Sequence, residues 1–351
     1  MIKKLYNFIF IIFLINVIIS GCDPRGQPPP PLRPSYYQNI IFFDWSPDGK
    51  QIAFVYQNKE KKKIENYTLI VRNHIYTIDI DGSNLKKIAV TNEPSNYSNV
   101  TGLTWSSDRK YFFLIDIYGF YKINVDGSEV KKITPENLEK KYKDKQSVVV
   151  FSPSVFSLDY SKIAYVADKI NSSHPYKLTG WAIGVMDING ENPEIFDLPI
   201  SQYPARSLVI TWLPNNKLII NSNYYIDLNT KKIEEISTNL SKKSIFKNCR
   251  WLNNKEFLTY RYEDKEMKIY KYTINTDILE IEKEELVSTP EFFPDTSLFS
   301  PDGTQIAYII KEKGQKGEFI KFPYIMNIDG SNKRKLVDVT QLPKGDPDYI
   351  W

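Results

Sequence analysis

After residue 35, apolar and polar residues alternate in short runs that are separated by tight polar turns. In the clearest segment, Phe43–Val55, an apolar run leads to Trp45, a Ser-Pro-Asp-Gly turn follows, and a second apolar run begins at Ile52. Its nearest copy is the segment Leu298–Ile309. Alternation with a period of two predicts half-buried β-strands, and turn residues between two such runs predict a hairpin.

The strand with an aromatic tip and its polar turn occur six times along the chain, and we take one aromatic residue of each copy as its anchor. The six anchors are Trp45, Trp105, Phe151, Trp212, Trp251 and Phe299. The third copy begins Phe151-Ser152-Pro153 and carries an insertion after this point. Repetition at intervals of a few tens of residues predicts one stacked or circular architecture instead of several unrelated domains.

A second signature follows in every copy, an apolar strand that ends in a short polar turn. The turns are Asp81-Gly82, Asp126-Gly127, Asn189-Gly190, Asn229-Thr230, Asn275-Thr276 and Asp329-Gly330. Asp-Gly and Asn-Gly between alternating strands are strong hairpin signals, because both residues of each pair tolerate a positive φ. A short fourth strand, such as residues 85–90 in the first copy, closes each unit.

Together the two signatures predict an all-β fold, a β-propeller of six four-stranded antiparallel blades. A sandwich of unrelated hairpins does not explain why both signatures occur in the same order six times. The last residues, Asp348–Trp351, look like a seventh first strand. This strand would pair near Tyr36–Phe43 and help to close the ring, or would mark a truncated gene, so a seven-bladed ring is the alternative.

The pairing of Trp-Ser-Pro-Asp-Gly with a later Asn/Asp-Ile-Asp-Gly turn resembles the repeats of TolB-like propellers. The resemblance covers residues 36–351, is most specific around Trp45 and Phe299, and is weaker around Trp212 and Trp251. TolB itself has an α/β domain before its propeller, whereas a proline-rich segment stands in that place here. Some TolB-like propellers are sugar-acid lyases, and this resemblance would require a histidine-rich metal centre. The chain has only two histidines, so we expect neither a metal site nor a cofactor.

The first residues of the chain predict export and a lipid anchor. Lys3 and Lys4 precede an apolar run, Leu5–Ile19, which is shorter than the roughly 20 residues that span a bilayer. This order is typical of a secretory signal. The ending Ile-Ser-Gly-Cys22 resembles the lipobox of bacterial lipoproteins, which implies cleavage before Cys22 and its lipidation. An ordinary anchor helix is the alternative.

These features predict three segments. They are a lipoprotein signal peptide (1–21), a lipidated cysteine with a proline-rich tether (22–35), and the TolB-like propeller (36–351). The proline-rich stretch favours extended polyproline II and serves as a semi-rigid spacer. We expect the lipid on Cys22 to hold a monomeric body at the periplasmic or extracellular side of a membrane.

Loop lengths predict which face of the ring is functional. In each blade the first and third connections are tight turns on one face, and the longer connections lie on the opposite face. The longer connections are residues 57–73, 91–98, 135–146, 169–180, 201–206, 238–247, 289–296 and 311–321. Because long loops on a rigid scaffold usually carry binding residues, we predict function on this second face.

One set of polar residues lies directly before the anchors on the predicted inner strands: Asp44, Thr104, Thr211 and Arg250. Inner strands line the central channel, so an Asp/Arg set there would hold a small polar ligand, since buried charges need partners. In the alternative interpretation, these residues satisfy one another between blades. Cys249 is predicted to be a buried, unreactive thiol.

The sequence lacks a Gly-x-Ser-x-Gly elbow and a phosphate-binding glycine loop. The formal net charge of +4 is too balanced to indicate nucleic acid. We therefore predict a non-catalytic envelope lipoprotein whose propeller is a binding scaffold for a protein or a cell-wall polymer. The alternative is a carbohydrate-active enzyme, a hydrolase or a lyase, with carboxylates in the channel.

Overall fold

The computed structural model contains six antiparallel sheets of four strands each. It describes residues 39–62, 68–90, 100–116, 119–133, 146–171, 177–199, 208–242, 245–246, 248–290, 294, 296–314 and 319–342. The predicted signal peptide (1–21), the tether (22–35) with Cys22, and the C-terminal segment that ends at Trp351 lie outside the described residues.

The first three sheets, blades 1 to 3, come from the N-terminal half of the ring. Blade 1 contains β1 (Asn39–Trp45), β2 (Gln51–Lys62), β3 (Thr68–Asp79) and β4 (Lys86–Val90). Blade 2 contains β5 (Val100–Trp105), β6 (Tyr111–Asp116), β7 (Gly119–Asn124) and β8 (Val130–Lys132). Blade 3 contains β9 (Gln146–Phe156), β10 (Lys162–Asn171), β11 (Lys177–Asp187) and β12 (Glu194–Asp197).

The other three sheets, blades 4 to 6, complete the ring. Blade 4 contains β13 (Ile210–Trp212), β14 (Lys217–Ile220), β15 (Tyr224–Asp227) and β16 (Lys232–Glu235). Blade 5 contains β17 (Arg250–Trp251), β18 (Glu256–Glu263), β19 (Glu266–Asn275) and β20 (Glu280–Ser288). Blade 6 contains β21 (Thr296–Phe299), β22 (Gln305–Lys313), β23 (Phe319–Asn327) and β24 (Arg334–Lys335). Short 3₁₀ helices cover Asn239–Lys242 and Val339–Gln341.

Six clusters of buried hydrophobic side chains join the blades, and each cluster contains residues of two neighbouring blades. The cluster between blades 6 and 1 includes Phe54 of β2 together with Ile309 of β22 and Phe322 of β23. Every sheet is built from four strands that are consecutive in sequence. Side-chain packing between blades 6 and 1 therefore closes the described ring, and the prediction of a six-bladed propeller is confirmed.

The anchor of the third copy was assigned to the wrong residue. In each blade the anchor pairs with the start of the second strand, as Trp45 pairs with Ile52 and Phe299 with Ile306. In blade 3 the residue that pairs in this way is Phe156, opposite Ile163. The predicted anchor Phe151 lies earlier in the same long strand, which contains a register shift, so β9 offers two aromatic residues that are each followed by serine. The insertion was predicted after Pro153, whereas the register shift of β9 falls at residues 151–153.

The turn after each clear anchor is held by its own serine and aspartate. In blade 1 the Ser46 hydroxyl donates to Asp48 Oδ1 over 2.7 Å and accepts from the Gln51 amide over 2.9 Å. The same pair of hydrogen bonds occurs in blade 2, from Ser106 to Asp108 and from the Tyr111 amide to Ser106. These bonds satisfy backbone and side-chain groups at the strand end, so the Ser-x-Asp turn has a structural role.

Acid should weaken these turns. Hydrogen bonds from the Ser106 hydroxyl and the Lys110 amide hold the pKa of Asp108 below its ordinary value. Because its pKa is lower in the folded state, the carboxylate stabilises the fold above about pH 4, and this contribution disappears as the pH falls through the folded-state pKa. We expect Asp108→Asn and Ser106→Ala each to make the thermal midpoint less dependent on pH below about pH 4. Midpoints that fall as steeply in both variants as in the wild type would contradict this role.

The indole groups of two anchors, Trp45 and Trp105, differ in hydrogen bonding. Trp45 Nε1 donates to the Leu298 carbonyl of blade 6 over 3.1 Å, whereas buried Trp105 Nε1 has no hydrogen-bond partner among the described residues. Trp45→Phe would remove this hydrogen bond between blades, which contributes about 0.5–1.5 kcal/mol. We expect it to lower the free energy of unfolding more than the matched change Trp105→Phe, as measured by urea denaturation. Equal losses would show that the hydrogen bond across the joint contributes nothing.

Candidate ligand site in the channel

A cavity of about 420 Å³ lies in the channel, and its lining includes all four polar residues that the sequence analysis selected. Asp44 comes from blade 1, Thr104 from blade 2, Thr211 from blade 4 and Arg250 from blade 5. They meet because each lies one residue before its anchor on an innermost strand, so the ring brings equivalent positions together. Their role in binding stays a prediction.

Asp44 is held rigidly beside the cavity. Its Oδ2 atom accepts hydrogen bonds from the Thr104 hydroxyl and from the Trp105 amide, the latter over 3.3 Å. Its Oδ1 atom accepts from the Trp45 amide over 2.9 Å. Burial raises the pKa of Asp44 above its ordinary value, against the opposing effects of the Thr104 hydrogen bond and the positive charge of Arg250. The carboxylate is therefore fixed in place but poorly solvated.

Arg250 of blade 5 and Tyr160 of blade 3 both line the cavity. Burial, followed by the negative charge of Asp44, raises the pKa of Tyr160, and the positive charge of Arg250 opposes this shift. Asp44 and Arg250 interact through their charges, but no ion pair within 4.0 Å joins these two described residues. The three polar groups thus converge on one space from three blades.

Tyr160 occupies a turn position at which the backbone has a positive φ. Its φ is +58°, and the equivalent position is Gly49 in blade 1, Gly303 in blade 6 and Arg109, with a φ of +60°, in blade 2. The positive φ is therefore a property of this turn in several blades. Tyr160 differs from these residues in that it lines the cavity.

The two threonines are occupied by neighbours. Thr104 donates to Asp44, and the Thr211 hydroxyl lies 3.4 Å from Cys249 Sγ. For these two residues the alternative interpretation, mutual satisfaction between blades, describes the contacts. Burial raises the pKa of the Cys249 thiol to about 11, so it is protonated at neutral pH and a weak nucleophile.

The walls of the cavity combine apolar and polar side chains. The apolar ones include Phe156, Leu158, Trp212, Trp251 and Leu252. Pockets that bind small molecules usually combine such walls with a few convergent polar groups, and their volumes are about 300–1,000 Å³. The channel cavity has both properties.

The cavity lies on the face that the loop lengths led us to regard as structural. Its lining includes Ser157, Leu158 and Tyr160 from the first turn of blade 3, and Asn253 and Asn254 from that of blade 5. Short turns bring these side chains to the end of the channel, because the turns directly follow the innermost strands. Tight turns therefore do not exclude a binding site.

Several connections on the opposite face are shorter than predicted. Residues 57–73 were predicted to be a loop, but β2 and β3 continue through them, with Gln57 opposite Asn73 and Lys62 opposite Thr68. Strands likewise continue into residues 169–180 and 311–321, where Lys169 pairs with Gly180 and Lys311 with Lys321. Backbone pairing, which loop composition does not reveal, extends these hairpins.

Within the described ranges, no group of three His, Cys, Asp or Glu side chains is arranged to hold a metal ion. No helix in this part of the chain is long and apolar enough to cross a membrane. His74 lies in β3, and His174 is outside the described residues.

Sequence reasoning missed Tyr160, and the cause is the wrong anchor in blade 3. With Phe156 as the anchor, Ser157, Asp159 and Tyr160 align with Ser46, Asp48 and Gly49. Such an alignment puts a tyrosine at a glycine position, which is a visible signal in the sequence. The copy at Phe151-Ser152-Pro153 concealed it.

No protein-family model matches the chain, and no curated protein matches it. Its fold is similar to solved propeller structures. One is oligogalacturonate lyase from Vibrio parahaemolyticus, with 13% identity, 86% of this chain and 77% of that chain covered, and a TM-score of 0.45. Another is a protein assigned as TolB from Agrobacterium tumefaciens, with 13% identity, coverage of 74% and 87%, and a TM-score of 0.46. A third is an acylaminoacyl peptidase, with 12% identity, coverage of 87% and 53%, and a TM-score of 0.51. At these identities the likeness shows the fold alone.

Proposed function

We propose that this six-bladed propeller is a non-catalytic binding protein of the cell envelope, tethered by a lipid on Cys22, and that its channel cavity receives part of a protein or a cell-wall component. The observation that carries the proposal is the convergence of Asp44, Arg250 and Tyr160 from three blades on one cavity whose walls also contain apolar side chains. Polar groups that are fixed in a partly apolar pocket orient a ligand.

The composition of the cavity favours binding over the alternative, a carbohydrate-active enzyme. Glycoside hydrolysis usually requires two carboxyl groups that flank the scissile bond. Asp44 is the single carboxylate among the described residues that line the cavity. The described lining therefore offers no second carboxyl group for that mechanism, and Cys249 is too poorly ionised to serve as a nucleophile.

Site-specific photocrosslinking in cells would test which face binds. Leu158 is 43% exposed and lines the cavity, and Phe319 is 58% exposed at the start of β23 on the opposite face. A photoreactive residue at position 158 should capture a partner or cell-wall material, and one at position 319 should not. Arg250→Gln should reduce the adduct at position 158.

The outcomes separate the two faces. An adduct at position 319 alone would place binding on the long-loop face that the sequence analysis predicted. The absence of a specific adduct at both positions would contradict a binding scaffold.

The proposed anchor has its own test. Cys22→Ser removes the thiol that a lipid would modify, and two or more acyl signals are needed for stable membrane binding. We expect the variant to leave the membrane fraction or to accumulate as an unprocessed precursor, while Cys249→Ser, the matched change at the other cysteine, leaves fractionation unchanged. Unchanged fractionation, with intact masses of Cys22→Ser and the wild type that differ only by the exchange of sulfur for oxygen, would reject lipidation.

A further inference from the structure

From the arrangement of charges we infer that the group bound in the cavity is zwitterionic, with a carboxylate held by Arg250 and an ammonium held by Asp44, as in an amino acid or the ends of a short peptide. This inference rests on the proposed function and names the chemistry of its ligand. It follows from the hydrogen-bonding capacity that these two residues retain on the cavity side.

Arg250 is suited to the carboxylate. A guanidinium has five N–H donors in a planar fork that matches a carboxylate with two parallel hydrogen bonds. Arg250 lines the cavity and forms no ion pair with Asp44 within the described part of the chain, so its donors remain available to a ligand. The Tyr160 hydroxyl adds another polar group to the same cavity.

Asp44 is suited to the ammonium. Each carboxylate oxygen accepts about two hydrogen bonds. Oδ2 accepts two, from Thr104 and Trp105, whereas Oδ1 accepts one, from the Trp45 amide. One acceptor position on Oδ1 therefore remains for a ligand. Burial makes the negative charge costly, and a bound cation would offset that cost.

The pair of opposite charges selects against simpler ligands. A ligand with only a carboxylate would place its charge in the field of Asp44, and one with only an ammonium would meet Arg250. A neutral sugar would form an ion pair with neither residue. The apolar side chain of an amino acid would contact Trp212 and Trp251 in the same cavity.

Calorimetric titration of the full-length protein in detergent would test the inference. The probes are alanine, dialanine and trialanine, each also prepared with its amino end acetylated or its carboxyl end amidated. We expect at least one unblocked probe to bind, and each blocked form to bind at least 10-fold more weakly. Tightest binding of alanine would indicate a free amino acid as the natural ligand, and tightest binding of a longer probe would indicate a peptide.

Variants should show which residue binds the ammonium end of the ligand and which binds the carboxylate end. Arg250→Gln should remove the preference for a free carboxylate and keep the preference for a free ammonium, and Asp44→Asn should do the reverse. Arg109→Gln is the matched control, because Arg109 is an exposed arginine that pairs with Asp48 outside the cavity. Thermal melts confirm that each variant is folded. A purely structural role would weaken all probes equally.

The inference fails if blocked and unblocked probes bind alike, or if no probe binds while position 158 still captures a partner. In the second case the proposed binding function stands, with a ligand of different chemistry. Loss of both probe binding and the adduct would overturn both proposals.

Discussion

Phe54→Ala should lower the free energy of unfolding by about 3–5 kcal/mol, the usual cost of truncating a large buried aromatic side chain. Phe54 is fully buried in the cluster that joins blades 1 and 6, and its ring stacks on Tyr76 with 5.4 Å between centroids. Because side-chain packing closes this joint without an exchanged strand, the cavity left by alanine weakens the ring at its closure. Urea denaturation followed by tryptophan fluorescence would measure the loss.

Phe319→Ala is the matched control in blade 6. Phe319 is 58% exposed, and surface substitutions usually change stability by less than about 0.5 kcal/mol. A loss at position 54 as small as that at position 319 would mean that the packing between blades 6 and 1 does not limit the stability of the propeller.

Gly190→Ala should lower the free energy of unfolding by about 2–5 kcal/mol, the sum of backbone strain and overpacking. Gly190 has a φ of +88°, and a Cβ atom there would lie 1.9 Å from the Ile133 carbonyl oxygen of blade 2. The neighbouring atom belongs to the backbone, so relief requires the two blades to separate. The turn of blade 2 is built in the same way, with Gly127 against the Ile88 carbonyl of blade 1.

Gly49→Ala separates the two causes. Gly49 also has a positive φ, +69°, but a Cβ atom there would meet only Pro301 Cδ at 3.6 Å, an ordinary contact. This variant should show only the conformational cost, about 1–2 kcal/mol. Equal losses at positions 49 and 190 in denaturation experiments would show that the close approach between blades adds nothing.

The repeat pattern predicted part of the candidate site. Asp44, Thr104, Thr211 and Arg250 were found from their position before the anchors, because equivalent positions in a ring face one channel. Which of them retain capacity for a ligand could not be found in this way. That depends on lateral contacts, such as Thr104 to Asp44 and Thr211 to Cys249, between residues that are distant in sequence.

The alternation of apolar and polar residues and the two repeated turns by themselves determined the all-β class, the four strands of each blade and the number of blades. Local chemistry was sufficient for this, since a period of two and the positive φ of Asp-Gly turns are properties of short segments. The same local evidence misplaced the anchor of blade 3, because Phe151 and Phe156 are both followed by serine and only strand pairing distinguishes them.

Only the tertiary structure decided how the ring closes and where the cavity lies. It also showed that position 190 requires a glycine because a Cβ atom would collide with the Ile133 carbonyl, in addition to the requirement for a positive φ. Each of these depends on atoms of different blades within a few ångströms of each other, a relation that no short segment contains. The turns that looked purely structural in sequence thus place Tyr160, Asn253 and Asn254 in the lining of the cavity, because these turns directly follow the innermost strands.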